Sequence, residues 1–350
     1  MKALTFHGKQ TVHYESVPDP EIISPLDAIV QVNRAGICGS DLHPYHEREK
    51  GLDHGTVMGH ELVGEIVETG QEVRRFKKGD EILSPFSNNC GRCFYCQRGL
   101  TCRCIYGHCY GWVQEGKGLQ GVQAEFVRVP LADSTLVARP ENVTPEEGLL
   151  LGDILPTGYF CADMADIRPD GVYAVVGCGP VGLMAIVGAF EHGAEVVYAI
   201  DSIPERLSHA QKFGAIPIDF KSGDPVSVIR DATDGRGADA VLEVVGNESA
   251  GRLAADLVRP CGIISAAGFH TEEHIAFSPM EAYDKNLTFK AGRCPARYYM
   301  ERLIPMVQQR KYDLTSIISH RMPLSEGVIA YDIFDKKLEA CTKVVLQPGS

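Results

Sequence analysis

The order of apolar and polar positions divides this chain into two textures. Up to about residue 150, apolar residues come in short stretches interrupted by Gly, Pro and Asp. Stretches such as 28–32, 61–68 and 124–129 predict the strands of an irregular, mainly β domain. After Pro156 the texture changes. The apolar run 172–176 predicts a strand, and an apolar helical stretch to about residue 191 follows it. A strand over 195–200 ends at Asp201. A helix over 204–213 carries Pro204 in its first turn and Gly214 just past its end. A helix over 225–232, a strand over 240–245, a helix over 249–258 and a strand over 262–267 continue the alternation. Strands alternating with helices predict a parallel sheet covered on both faces. A helix over 298–310 and short strands after it return the chain to the first domain.

The length of 350 residues suits two domains. Hydrophobic and charged contents of 44% and 23% are those of an ordinary globular protein. A formal net charge of -12 argues against nucleic acid or an anionic membrane as a partner, since both select basic surfaces. The basic run over 74–78 is followed at once by Asp80 and Glu81 and reads as a solvated turn. Residues 1–7 contain no apolar leader, and no apolar run approaches the ~20 residues of a membrane span, so a cytoplasmic protein is expected. Twelve cysteines in such a chain read as metal ligands and buried thiols rather than disulfides.

Two local patterns carry chemistry by their own spacing. Cys90, Cys93 and Cys96 recur every three residues, and Cys104 follows eight further on. Four thiolates on one loop can wrap a tetrahedral zinc at ~2.3 Å, which closes every coordination position and makes the site structural. Cys102 competes for the fourth position, and Cys104 is preferred for its longer return loop; a reactive or disulfide-forming cluster is the other reading. Next, Gly177, Gly179 and Gly182, with Pro180 and Val181 between the last two, directly follow a strand and open a helix. An acid, Asp201, ends the next strand. This is the dinucleotide-binding fingerprint in its proper context. The pyrophosphate would meet the helix N-terminus, and Asp201 would accept hydrogen bonds from both ribose hydroxyls while repelling a 2′-phosphate, which favours NAD over NADP. Arg206 lies close enough in sequence to stack over or pair near that ribose, or to be a surface charge.

Cys38-Gly-Ser-Asp-Leu-His43, Gly59-His-Glu61-Leu-Val-Gly64, Phe76-Lys-Lys-Gly79-Asp80, the cysteine lobe over 88–106, Asp153-Ile-Leu-Pro-Thr157-Gly158-Tyr159 and the glycine motif occur in an order that resembles the zinc-containing medium-chain alcohol dehydrogenases over nearly the whole chain. The resemblance implies an α/β protein: a GroES-like β domain over 1–152 and 295–350, and a Rossmann domain with a doubly wound parallel sheet over 153–294. It also implies two zinc ions per subunit and NAD(P)-linked oxidation of alcohols to aldehydes or ketones. By position, Cys38 and His60 match catalytic zinc ligands, and Asp153 fills the third ligand slot, where many relatives carry Cys. Asp41 matches the carboxylate that orients the ligating imidazole, and Glu61 a residue that approaches the metal during ligand exchange or else makes only a structural ion pair. Ser40 and His43 suit a proton relay, with His43 expected near solvent; the other readings are a turn cap for Ser40 and a surface residue for His43. Thr157 matches the residue that packs on the nicotinamide.

Trp112, placed like a pocket tryptophan of secondary-alcohol relatives, lines the substrate site or packs internally. His46, His54, His108 and Tyr110 could add polarity near it. A primary or secondary alcohol is the expected substrate. Polyol or threonine dehydrogenase and formaldehyde dehydrogenase or dismutase are the alternatives within the same chemistry. A zinc-free quinone or enoyl reductase has no use for Cys38, His60 and Asp153, and the intact ligand set argues against a non-catalytic NAD-binding redox sensor or structural component. Relatives are dimers or tetramers. A homotetramer is favoured here, joined through Rossmann edge strands at 262–268 and 287–291.

Overall fold

The computed structural model describes residues 1–349. The chain forms two compact units, Met1–Asp153 with Pro295–Ser350, and Ile154–Cys294. Among the described residues, no helix is long and apolar enough to cross a membrane.

The first unit is built on a seven-stranded sheet. Its path runs Ile318–Pro323, Lys343–Gln347, Ala28–Ile37, Leu62–Thr69, Glu81–Ser84 and Val137–Ala138, with Phe126–Val129 also paired to Ala28–Ile37. The long strand Ala28–Ile37 takes three antiparallel partners and is buried at both ends, over 28–30 and 35–37, with the exposed Gln31 and partly exposed Asn33 and Arg34 between. Leu4, Val30, Ile37, Leu62, Ile66, Ile82 and Val344 form the core with Tyr331. Each such side chain contributes roughly 1.5–3 kcal/mol by leaving water. A separate antiparallel hairpin pairs Lys2–Phe6 with Val12–Ser16. The helix Pro145–Gly152 starts on a capping box, in which Thr144 accepts from the Glu147 amide and Glu147 from the Thr144 amide.

The second unit is an all-parallel six-stranded sheet in the order Ile216–Asp219, Val196–Asp201, Val172–Val176, Ala238–Glu243, Val258–Ala266, Thr288–Ala291. Val172–Val176 comes first in the chain yet sits between strands that continue in opposite directions across the sheet. Its carboxyl end is therefore the topological switch point, where open α/β sheets bind ligands. Helices Pro180–Glu191, Pro204–Lys212, Pro225–Asp231 and Glu248–Leu257 make the crossovers.

Three features differ from the sequence reading. The helices Pro145–Gly152 and Ile154–Met164 were not expected, because residues 148–155 are buried all round and leave no helical period to read. The segment at 262–268 is not at the sheet edge. Its strand, Val258–Ala266, is covered by Thr288–Ala291, which alone of the two forms the edge. Asp153 closes the first unit rather than opening the second.

Candidate active site

Cys38 follows the long central strand Ala28–Ile37 and caps the 3₁₀ turn Gly39–Asp41, which holds Ser40 and Asp41. His60 and Glu61 precede the neighbouring antiparallel strand Leu62–Thr69. Asp153 caps the Pro145–Gly152 helix in a non-helical conformation, φ -147° and ψ -75°. These three remote segments bring Cys38, His60, Glu61 and Asp153 together, one donor atom of each lying within 4.8 Å of the others. Cys38 Sγ and His60 Nε2 each lie 3.3 Å from Asp153 Oδ2. Ser40 Oγ is 3.3 Å from the same imidazole nitrogen.

The other imidazole nitrogen is already engaged. His60 Nδ1 lies 3.1 Å from Asp41 Oδ1, so Nε2 is the atom turned towards Cys38 and Asp153. Asp41 is itself held: its Oδ2 accepts from the Cys38 amide at 2.9 Å and from Gln123 Nε2 at 3.2 Å. Gln123 also donates to the Gly36 carbonyl and accepts from the buried Tyr331 hydroxyl at 2.9 Å. Burial opposes charge on His60, but Asp41 and Asp153 outweigh it and hold its pKa well above the usual imidazole value. Burial also opposes charge on Asp153, yet hydrogen bonding to His60 brings it down to about 2. Burial, then Asp153, pushes the Cys38 thiol up to about 11. A soft thiol, an imidazole with its tautomer fixed from behind, and a carboxylate, all converging, fit a three-ligand zinc site with one position left for substrate.

Glu61 lies within this cluster, but in this structure its carboxylate is taken up by Lys343. Lys343 Nζ sits 2.6 Å from both its oxygens and 2.9 Å from the Ile37 carbonyl, and both charged side chains are 0% exposed. The Glu61 carboxylate fills the place of a side chain at Gly36, where a Cβ would come within 1.8 Å of Glu61 Oε2. His43 is buried, at 8% exposure, not near solvent. Its one-turn helix Leu42–Tyr45 docks on the core, with Leu42 packed against it, Tyr45 inside it and the Tyr45 ring 5.4 Å from that of Tyr331.

In the cysteine lobe, Cys90, Cys93, Cys96 and Cys104 gather with their sulfurs within 4.8 Å of one another, and Cys102 stands outside the group. Cys90, Cys93, Cys96 and Cys104 are in no disulfide. The Cys90 and Tyr106 amides point at Cys104 Sγ, at 3.2 and 3.4 Å, as amides do around a metal-bound thiolate. This set fits a structural zinc.

At the switch point, Gly177 has φ +93°. A Cβ at Gly182 would lie 1.8 Å from the Gly177 carbonyl oxygen, so the helix Pro180–Glu191 reaches the sheet only with glycine there. A Cβ at Gly179 would meet only Arg206, at 3.8 Å, leaving that backbone open to a ligand. Asp201 ends its strand and ties the turns together, accepting from the Cys178 amide at 2.8 Å and from those of Ser202 and Ile203. Arg206 Nη1 lies 3.6 Å from Asp201. Pro180 and Val181 form the first helical turn. Thr157 lies on the helix Ile154–Met164.

Trp112 is half-buried and packs on the first unit's core. His46 pairs with Asp335 at 2.6 Å, Tyr110 is a core residue, and His54 lies edge-on to the Phe6 ring. The sequence reading missed Gln123, Tyr331 and Lys343. Only Lys343 left a signal, as a charge heading the apolar run Val344-Val345-Leu346.

Two family models match. One, described as the alcohol dehydrogenase GroES-like domain, covers residues 24–141, and the other, described as zinc-binding dehydrogenase, covers 180–309. The chain is 40% identical to zinc-type alcohol dehydrogenase B of Aspergillus flavus, over 100% of this chain and 82% of that one. It is 35% identical to an NADP-dependent isopropanol dehydrogenase of Thermoanaerobacter brockii, over 85% of each. Among solved structures, alcohol dehydrogenase TADH from Thermus sp. ATN1 superposes with a TM-score of 0.92 at 39% identity, covering 99% of this chain and 100% of that one. With a GroES-like unit, a Rossmann unit and these relatives, the chain belongs to the zinc-containing medium-chain alcohol dehydrogenases.

Proposed function

We infer that this protein catalyses reversible hydride transfer between a primary or secondary alcohol and NAD. The observation that carries the reading is the convergence of Cys38 Sγ, His60 Nε2 and Asp153 Oδ2, with His60 locked from behind by Asp41. Cys38, His60 and Asp153 would hold the catalytic zinc, and Cys90, Cys93, Cys96 and Cys104 a structural one. When bound, the catalytic ion supplies Lewis-acid polarisation of the substrate oxygen, and the nicotinamide accepts the hydride.

The chain's own residues do the rest. Asp41 keeps the proton of His60 on Nδ1. Ser40, 3.3 Å from His60 Nε2, stands where it can take the hydroxyl proton of an alcohol at the site. His43, one turn on, receives that proton next, and its burial means the path to solvent continues beyond it. Gly177, Gly179 and Gly182 admit the pyrophosphate to the start of the Pro180–Glu191 helix, and Thr157 packs on the nicotinamide. Asp201 favours NAD because a 2′-phosphate would face its carboxylate. The isopropanol dehydrogenase relative supports a secondary alcohol and also shows that NADP use occurs nearby in the family. Thr288–Ala291 is exposed at every residue and forms an open sheet edge, which supports association of subunits there into a dimer or tetramer.

The test is cofactor reduction by the zinc-loaded protein with primary, secondary and polyhydric alcohols and formaldehyde, NAD and NADP in parallel. Turnover of a simple alcohol with NAD is expected. Silence with every alcohol, both cofactors being bound, would sink the reading.

A further inference from the structure

Away from that site, three ligand-type side chains meet on the hairpin Lys2–Phe6 with Val12–Ser16. The pairing sets Thr5 opposite His13 and Ala3 opposite Glu15. Side chains alternate across a strand, so Thr5, His7, His13 and Glu15 share one face. One donor atom from each of His7, His13 and Glu15 lies within 4.8 Å of the other two. His7 Nε2 is 2.6 Å from Glu15 Oε1. The buried Thr5 hydroxyl donates to the same oxygen at 2.5 Å and so fixes the carboxylate from beneath. The His7 and His13 rings stack with centroids 4.2 Å apart and planes 22° apart. His13 is exposed and His7 and Glu15 are partly so, which leaves the cluster open to an ion from solution.

We propose that His7, His13 and Glu15 form a third metal site, for a borderline divalent ion such as Zn²⁺, Ni²⁺ or Cu²⁺. Two imidazoles select these ions over Mg²⁺ and Ca²⁺, which take oxygen ligands. The single carboxylate offsets part of the charge, and water completes the coordination. His54 flanks the site with its ring 6.3 Å from that of His7, outside the donor set. The hairpin is joined by backbone hydrogen bonds, Phe6 to Thr56 and Gly55 to Phe6, to the segment that leads into Gly59 and His60. An ion held here therefore braces the chain entering the candidate active site without touching it. The site stands independently of the inferred reaction.

The test uses tag-free, full-length protein whose two cysteine-bearing sites carry Zn²⁺ and whose His7, His13 and Glu15 site has been emptied by brief chelation, titrated calorimetrically with Ni²⁺. One equivalent of Ni²⁺ per chain is expected in addition to the zinc already held. His13→Ala should weaken it by about tenfold or more, at least the loss caused by removing a ligand's supporting partner. The double variant His7→Ala/His13→Ala should abolish it. Cu²⁺ bound at the same stoichiometry should show nitrogen coupling from two imidazoles by electron paramagnetic resonance, reduced to one in His13→Ala. Because His13 is exposed, that variant should keep the wild-type circular dichroism and alcohol turnover. No Ni²⁺ uptake by wild type so prepared, or wild-type affinity in the double variant, overturns the proposal. Equal affinity for Mg²⁺ overturns the choice of ion.

Discussion

At the scale of single residues, the site rests on groups that touch neither substrate nor metal. Lys343 is a fully buried ammonium. Burial works against its charge, but Glu61 beside it raises its pKa; burial raises the pKa of Glu61 too, against the pull of Lys343. Removing one partner leaves the other charge uncompensated in a dry interior, at a cost of about 3–5 kcal/mol. Lys343→Met should therefore lower the denaturant midpoint strongly, and adding Glu61→Gln should recover part of the loss. If the single variant unfolds at the wild-type midpoint, the pair has no structural role. Asp41 presents a different kind of dependence. It accepts from the Cys38 amide and from Gln123 and pairs with His60 Nδ1. Asp41→Asn keeps the shape and loses the charge that fixes the imidazole, so kcat/KM should fall by roughly 10–100-fold with little change in stability. Steady-state kinetics beside a melting curve separates the two effects.

At the scale of elements, what could be read from sequence was what is locally encoded. The strand, glycine turn and helix around Gly177–Gly182 carry their own punctuation, and so do the four cysteines of the lobe. Legibility failed where the determinant is burial or a remote partner. The leucines of Pro145–Gly152 are inside on every side, so only the capping box of Thr144 and Glu147 marked that helix. Gln123 meets Tyr331 across 208 residues and Glu61 meets Lys343 across 282, separations no local pattern encodes. Another such pairing joins two loops of the Rossmann unit. Glu243, 1% exposed at the end of its strand, accepts from the Val245 and Gly246 amides at 2.8 Å, and its other oxygen lies 2.7 Å from His270 Nε2. The hydrogen bond to Glu243 raises the His270 pKa despite partial burial. A base whose pKa is raised on folding stabilises the fold fully below its unfolded value of ~6.5 and loses that effect as pH rises through the folded value. His270 is more than a third exposed, so the contribution is held to about 1 kcal/mol or less. The melting temperature of wild type should exceed that of His270→Gln in mildly acidic buffer, and the gap should close at alkaline pH. A gap that widens with pH would reverse the assignment.

At the scale of the whole molecule, a chain of formal charge -12 does not gather its own copies by long-range attraction. Association must come from a short-range surface strong enough to outweigh that repulsion. The edge strand Thr288–Ala291 is the candidate surface: among the described residues no strand pairs with its outer side, its four residues are exposed, and Phe289 is 39% accessible beside Phe277. Open edges of this kind pair with one another or are shielded by charge, and Lys290 is the only charge this one carries. Two copies meeting edge to edge about a two-fold axis would extend the six-stranded sheet across both subunits, an isologous contact that closes on itself. Added salt screens the repulsion and leaves backbone pairing intact, so the assembly should hold or tighten as ionic strength rises. Light scattering on wild type should then give a multiple of 38.2 kDa at micromolar concentration. Phe289→Asp sets a like charge against its symmetry mate at the seam and should shift the mass towards a single chain, with the melting transition of the Rossmann unit preserved. Wild type running at 38.2 kDa throughout, or a Phe289→Asp variant of unchanged mass, would remove this edge as the interface.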